Sequence, residues 1–127
     1  MSLLVDTQAL LWFVEGDPRL SRRARFAIES EPGPLLVSMA AWWEMGIKHG
    51  LGRLRLEPSL EAFAEERLRE GFRILPIELP HVIALTDLPF HHRDPFDRMM
   101  IAQAREEDLP VCTADPAFRL YGVEVVW

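Results

Sequence analysis

A single cysteine, Cys112, stands among 127 residues, so no intramolecular disulfide can form and nothing points to an oxidising, secreted setting. No apolar stretch approaches the roughly 20 residues that a membrane-spanning helix needs. The N-terminus also lacks the basic segment and long apolar core of a secretory signal. A cytoplasmic protein without membrane contact is therefore the default expectation. Positive charge is in short supply as well: 14 Lys and Arg face 20 Asp and Glu, a formal net charge of −6. That balance argues against a protein that coats nucleic acid through a broad basic face. It leaves room for a nuclease, because a carboxylate cluster offset by metal would account for several of the negative charges. Linkers, repeats and low-complexity segments are also missing, so residues 1–127 read as a single domain, long enough to bury a core without staples.

What is present is an alternation of strands and helices. Short apolar runs lie at Leu3–Val5, Leu35–Ser38, Ile74–Ile77, Leu109–Cys112 and Val123–Val126. Helical patterning begins near Thr7 and again at Ser21, whose apolar face carries Ala24, Ala27 and Ile28. It recurs over Ala40–Leu51, where Trp43, Ile47 and Leu51 form an i, i+4 row, and over Ser59–Gly71, which opens on a capping serine and ends at a glycine. Pro80–Leu88 and Phe96–Asp108 complete the set. Apolar strands separated by amphipathic helices predict an α/β fold: a five-stranded, mostly parallel sheet with helices on both faces, three layers in all.

Four acidic signatures punctuate this pattern. They are Leu4-Val5-Asp6-Thr7, Trp43-Glu44, Arg93-Asp94-Pro95-Phe96-Asp97-Arg98 and Thr113-Ala114-Asp115. Each acid has an ordinary explanation. Asp6 caps a helix, and so does Asp115, with Pro116 at the favoured first position. Asp94, Pro95 and Asp97 form an acidic relative of the capping box. Glu44 stands four residues before Lys48, the favourable order for a helical ion pair. Yet caps at the C-terminal ends of parallel strands open onto one rim, where doubly wound sheets build their sites. Carboxylates gathered there repel one another, and a divalent cation is the natural means of keeping them ionised.

These residues match a family. The chain resembles a PIN domain, and more narrowly the VapC-like toxin ribonucleases of toxin–antitoxin pairs. The resemblance covers essentially the whole chain and is strongest in Leu3–Thr7, Val37–Lys48, Asp94–Ala104 and Thr113–Phe118. It implies a sheet of five parallel strands and a metal-dependent endoribonuclease whose four acids are Asp6, Glu44, Asp97 and Asp115. For the third position, Asp97 precedes Asp115 by 18 residues, which fits the family pattern, whereas Asp94 would be three too far. Asp94 remains an accessory ligand or a cap.

Magnesium or manganese is the implied cofactor, with Asp6 and Asp97 as direct ligands and Glu44 and Asp115 acting mainly through water. Thr7, Ser38 and Thr113 are candidates to hold the carboxylates by hydrogen bonding, with local capping an equal alternative for Ser38. Lys48, Arg93 and Arg98 are candidate RNA contacts, Arg98 foremost, although a solvated surface explains any one charge equally well; His49, Arg53, Arg55, His91 and His92 lie nearby. The adjacent His91-His92 lacks the spacing of a zinc site. Trp12, Trp42 and Trp43 either stack bases or pack in the core or an interface. Implied partners are an RNA substrate, an antitoxin protein and a second copy of the chain, with Leu10, Leu11 and Phe13 as candidate interface residues. Three rivals stand beside this reading: a solitary RNA-processing nuclease, a non-catalytic binding module on the same scaffold, and a haloacid-dehalogenase phosphatase. The last wants a second acid two residues after Asp6, where Gln8 stands.

Overall fold

The computed structural model describes residues 2–127. The elements in chain order are β1 (Leu3–Val5), α1 (Thr7–Glu15), α2 (Arg22–Ser30), β2 (Leu35–Ser38), α3 (Met39–Gly50), α4 (Leu60–Arg69), β3 (Phe72–Leu75), α5 (Leu79–Thr86), α6 (Pro95–Glu107), β4 (Val111–Cys112), a 3₁₀ helix (Pro116–Tyr121) and β5 (Val125–Val126). Five strands form one sheet in the order β3-β2-β1-β4-β5. Every ladder is parallel, with Leu3 opposite Leu35, Leu4 opposite Val111 and Cys112 opposite Val126. The expected α/β architecture is present, and it is fully rather than mostly parallel.

Strand boundaries shift where the backbone runs out of donors. β3 begins at Phe72, two residues before the expected start, and ends at Leu75 because Pro76 has no N–H to give a ladder. β4 likewise begins only after Pro110. Helix boundaries follow side-chain caps. Ser21, Ser38 and Ser59 accept from the N–H groups of Ala24, Ala40 and Ala62. Gly16 ends α1 in the left-handed conformation at φ 65°, which a residue with a Cβ adopts only at a cost.

The core lies between sheet and helices. Leu4, Val5, Leu10, Met45, Met100, Ile101, Val111 and Phe118 are fully buried. Leu10 and Leu11 belong to this core, so these two are not free for the interface expected of them, whereas Phe13 is half-buried and packs edge-on against Phe72 at 6.2 Å. The reason is topological: α1 follows β1 directly and must turn its apolar face onto the sheet. Trp42 is buried against Phe63, whereas Trp43, Ile47 and Leu51 lie exposed along α3, with Trp43 edge-on to Phe96 at 5.3 Å. An exposed apolar row therefore runs along α3 and its C-terminal cap, beside other exposed apolar residues such as Phe26, Leu79 and Phe90.

One buried polar side chain ties the layers together. Gln103 of α6 is fully buried, accepts from Ser38 Oγ (2.5 Å) and donates to the Pro76 carbonyl (3.1 Å). It joins the ends of β2 and β3 to α6. Gln103→Leu keeps the volume but strands both partners, so it should cost about 1–3 kcal/mol of stability. Urea unfolding monitored by far-UV circular dichroism checks this; a midpoint equal to wild type would contradict it.

Candidate active site

The strand order reverses direction between β1 and β4: β2 lies on one side of β1 and β4 on the other. In an open parallel sheet, such a switch point leaves a crevice at the carboxyl ends of the strands. Asp6 directly follows β1, and Thr113-Ala114-Asp115 follows β4. A cleft of about 510 Å³ opens there, lined among others by Asp6, Glu44, Lys48, Asp94, Asp97 and Asp115. Four segments far apart in the chain thus bring all four expected acids, and the accessory Asp94, to one place.

Each carboxylate is held by identified donors. Asp6 Oδ1 accepts from the Ala9 N–H at 2.8 Å, and the Thr113 side chain supplies a further hydrogen bond. Glu44 accepts from Thr7 Oγ1 at 2.7 Å and from Lys48 Nζ at 2.8 Å. Asp115 accepts from the Ala117 N–H at 2.9 Å and from His92 Nε2 at 2.7 Å. Asp94 caps α6, accepting from the N–H groups of Phe96 and Asp97. Asp97, one turn into α6, has His92 Nε2 3.2 Å from its Oδ2. The caps at Asp6, Asp94 and Asp115 and the Glu44–Lys48 pair are therefore real and coexist with the cleft, whereas the reciprocal bond of a capping box is missing because the Asp94 N–H donates to His92 Nδ1.

The helpers sort differently from expectation. Thr7 and Thr113 do hold Glu44 and Asp6. Ser38 does not touch a carboxylate; its hydroxyl serves Gln103 and the start of α3. Lys48 pairs with Glu44, and Arg93 is exposed beside the cleft. Arg98 is buried, although it follows Asp97 directly, because one step along a helix turns a side chain by about 100°. Its guanidinium donates to the carbonyls of Pro89 (2.9 Å), Leu88 (3.3 Å) and His92 (3.4 Å) and to Tyr121 Oη (3.4 Å). It braces the loop before α6 and is not available to RNA. Sequence reasoning placed His92 near the third acid but not on Asp115, and it missed Tyr121. The two meet across 29 residues, His92 N–H donating to Tyr121 Oη at 2.8 Å, and no local pattern announces such a contact.

Crowding shows in the electrostatics. Burial pushes the Asp6 carboxyl up to about 6, with Asp115 and Glu44 adding repulsion. Asp97 is pushed up to about 7, first by burial and then by the charge of Asp94, with His92 opposing. Two acids that resist ionisation at one rim are a common mark of a functional site. The acids offer oxygen donors, which suit a hard divalent cation, and His92 Nε2 is a nitrogen grouped with Asp97 and Asp115 at the same rim.

Residues 3–124 match the family model described as PIN domain. Among curated proteins there is no match. Several solved structures share the fold. The VapBC2 complex of Rickettsia felis, bound to a DNA fragment from its promoter, superposes with a TM-score of 0.74 at 11% identity, covering 98% of this chain and 97% of that one. FitAcB of Neisseria gonorrhoeae gives 0.65 at 21% identity, with 97% and 95% covered. The sarcin-ricin-loop-cleaving toxin VapC20 of Mycobacterium tuberculosis gives 0.68 at 19% identity, with 95% of each chain covered.

The raised carboxyls imply a pH dependence of stability with a definite sign. Below about pH 4, Asp97 is protonated in folded and unfolded chains alike and imposes no penalty. Between about pH 4 and 7 the unfolded chain releases this proton first, so stability falls as pH rises, and above that window the penalty is complete. Asp97→Asn should therefore melt with wild type near pH 4. At pH 7.5 in EDTA it should be more stable by on the order of 1 kcal/mol, allowing for partial solvent screening, which is a few degrees. Thermal melts across pH test this. Parallel curves for the two proteins would show that Asp97 carries no such penalty.

Proposed function

The chain belongs to the PIN-domain family, and from that premise we propose that it is a metal-dependent endoribonuclease, the toxin of a toxin–antitoxin pair, which hydrolyses RNA phosphodiesters at the four-carboxylate cleft. The observation that carries this reading is the convergence of Asp6, Glu44, Asp97 and Asp115 on one cleft at the switch point of the sheet. Magnesium or manganese fits the residues present: the four acids offer oxygen donors, and two of the carboxyls are pushed toward the neutral form by burial and by neighbouring carboxylates, which a bound cation would offset. Such a cation, when bound, lowers the pKa of water and offsets charge on the phosphate under attack.

The chain's own residues divide the work. Asp97, the acid with the fewest protein donors, and Asp6 would hold the cation directly. Glu44 and Asp115, each with both oxygens already engaged, would orient water. Thr7 and Thr113 keep Glu44 and Asp6 in place. Lys48, half exposed beside Glu44, and Arg93 at the rim would meet RNA phosphates as point charges.

The partner would be an antitoxin that inhibits by placing an arginine against Asp6 and Asp97, where a bidentate contact suits carboxylates. Self-association would use the exposed α3 row of Trp43, Ile47 and Leu51. The protein would act in the cytoplasm; among the described residues no helix is long and apolar enough to cross a membrane.

Purified protein should cleave RNA with magnesium or manganese and stop in excess EDTA. Asp6→Asn and Asp97→Asn should each lower the rate on the order of 100-fold or more, since even outer partners of a metal are worth about 10–100-fold. Asp94→Asn should do far less, because asparagine also caps a helix. Full cleavage by the Asp6 and Asp97 variants, or by wild type in EDTA, would sink the reading. A larger loss in Asp94→Asn than in Asp97→Asn would move the third ligand.

A further inference from the structure

One side chain outside the four acids meets two of them at once. His92 lies in the loop between α5 and α6, with Nε2 2.7 Å from Asp115 Oδ2 and 3.2 Å from Asp97 Oδ2. Its other ring nitrogen, Nδ1, faces the backbone N–H of Asp94 at 3.1 Å. A backbone N–H can only donate, so Nδ1 must be the acceptor and the proton of the neutral ring sits on Nε2. That assignment decides what His92 can do. A nitrogen bearing a proton cannot ligate a metal, but it can donate to a carboxylate, and here it donates to Asp115 with Asp97 just beyond.

The ring is held from several directions. Its backbone N–H donates to Tyr121 Oη (2.8 Å), and Tyr121 Oη in turn donates to the Pro89 carbonyl (2.8 Å). The His92 carbonyl receives Arg98 Nη1, and the ring stands edge-on to the buried Phe118 at 6.3 Å. Neighbouring His91 points elsewhere, packing on Tyr121 at 5.1 Å. Asp115 is consequently clamped at both oxygens, Oδ1 by the Ala117 N–H and Oδ2 by His92.

We infer that His92 is a positioning residue of the acidic cleft, a neutral Nε2–H donor that holds Asp115 and Asp97 in the arrangement a divalent cation requires without itself binding the cation. The inference rests on the metal reading of the cleft. Outer-sphere donors of this kind keep ligand carboxylates preorganised, and their loss weakens metal affinity. A donor between two carboxylates also softens their repulsion before a cation arrives.

The two nitrogens can be tested separately. His92→Gln places an amide N–H near the position of Nε2. His92→Asn keeps an acceptor near Nδ1 for the Asp94 N–H but has nothing that reaches Asp115. Mn²⁺ is titrated into the metal-free full-length protein by calorimetry, with free Mn²⁺ followed by electron paramagnetic resonance and folding followed by melts in EDTA. His92→Asn should bind on the order of 10-fold more weakly than wild type, while His92→Gln restores affinity and both variants stay folded. Unchanged affinity in His92→Asn overturns the inference. Tighter binding does so too, since the ring would then have occupied the cation's place. Equal losses in both variants, accompanied by lowered melting, would reduce His92 to a loop brace. A wild type that binds no Mn²⁺ sensitive to Asp6→Asn overturns the metal reading itself, and the inference with it.

Discussion

Like charges at the bottom of a half-buried cleft repel, and the local structure around β1, β4 and α6 is arranged to hold them there. Asp6 and Asp97 are both pushed toward the neutral form by burial and by neighbouring carboxylates. Against that tendency stand the Ala9 N–H and Thr113 on Asp6, Thr7 and Lys48 on Glu44, and His92 on Asp115. These donors fix where the oxygens lie, and among them only Lys48, paired with Glu44, brings a full positive charge to set against the cluster. A hard cation is the group that would complete the balance.

Economy of parts explains how so small a chain builds this cleft. Asp6, Asp94 and Asp115 each cap a helix that begins just beyond a strand or loop. A cap places the side chain beside free backbone N–H groups, and the helix N-terminus adds partial positive charge at the same spot. The residue that starts the helix is therefore already at the rim, facing the region where phosphate would lie. Structural and functional explanations of these acids do not compete, because a carboxylate has lone pairs enough for both.

The loop before α6 is the least regular part of the site and the most heavily braced. Arg98 reaches back to the carbonyls of Leu88, Pro89 and His92, and Tyr121 closes the same network from the 3₁₀ helix. A buried guanidinium with neutral acceptors is costly unless several of its donors are satisfied, so this brace is specific. The result is that Arg98, adjacent to Asp97 in the chain, turns away from the cleft, while His92, six residues before Arg98, turns into it.

Apolar periodicity, proline and glycine punctuation and the capping residues are local signals. They sufficed for the α/β class, the strand–helix alternation and the caps at Asp6, Asp94 and Asp115, whereas the grouping of the four acids came from the family resemblance. They could not say which exposed row is free: Leu10 and Leu11 look as apolar as Trp43 and Ile47, and only the packing of α1 onto the sheet separates them. Nor could they place Ser38 on Gln103, His92 on Asp115 or Tyr121 on the His92 backbone, contacts spanning 65, 23 and 29 residues. Helix and strand propensities act over a few neighbours, so the chain alone determined the elements and the residues at their ends. Hydrogen bonds between distant segments depend on strand order and helix rotation, which exist only once the sheet has assembled, and those decided which side chains face the cleft.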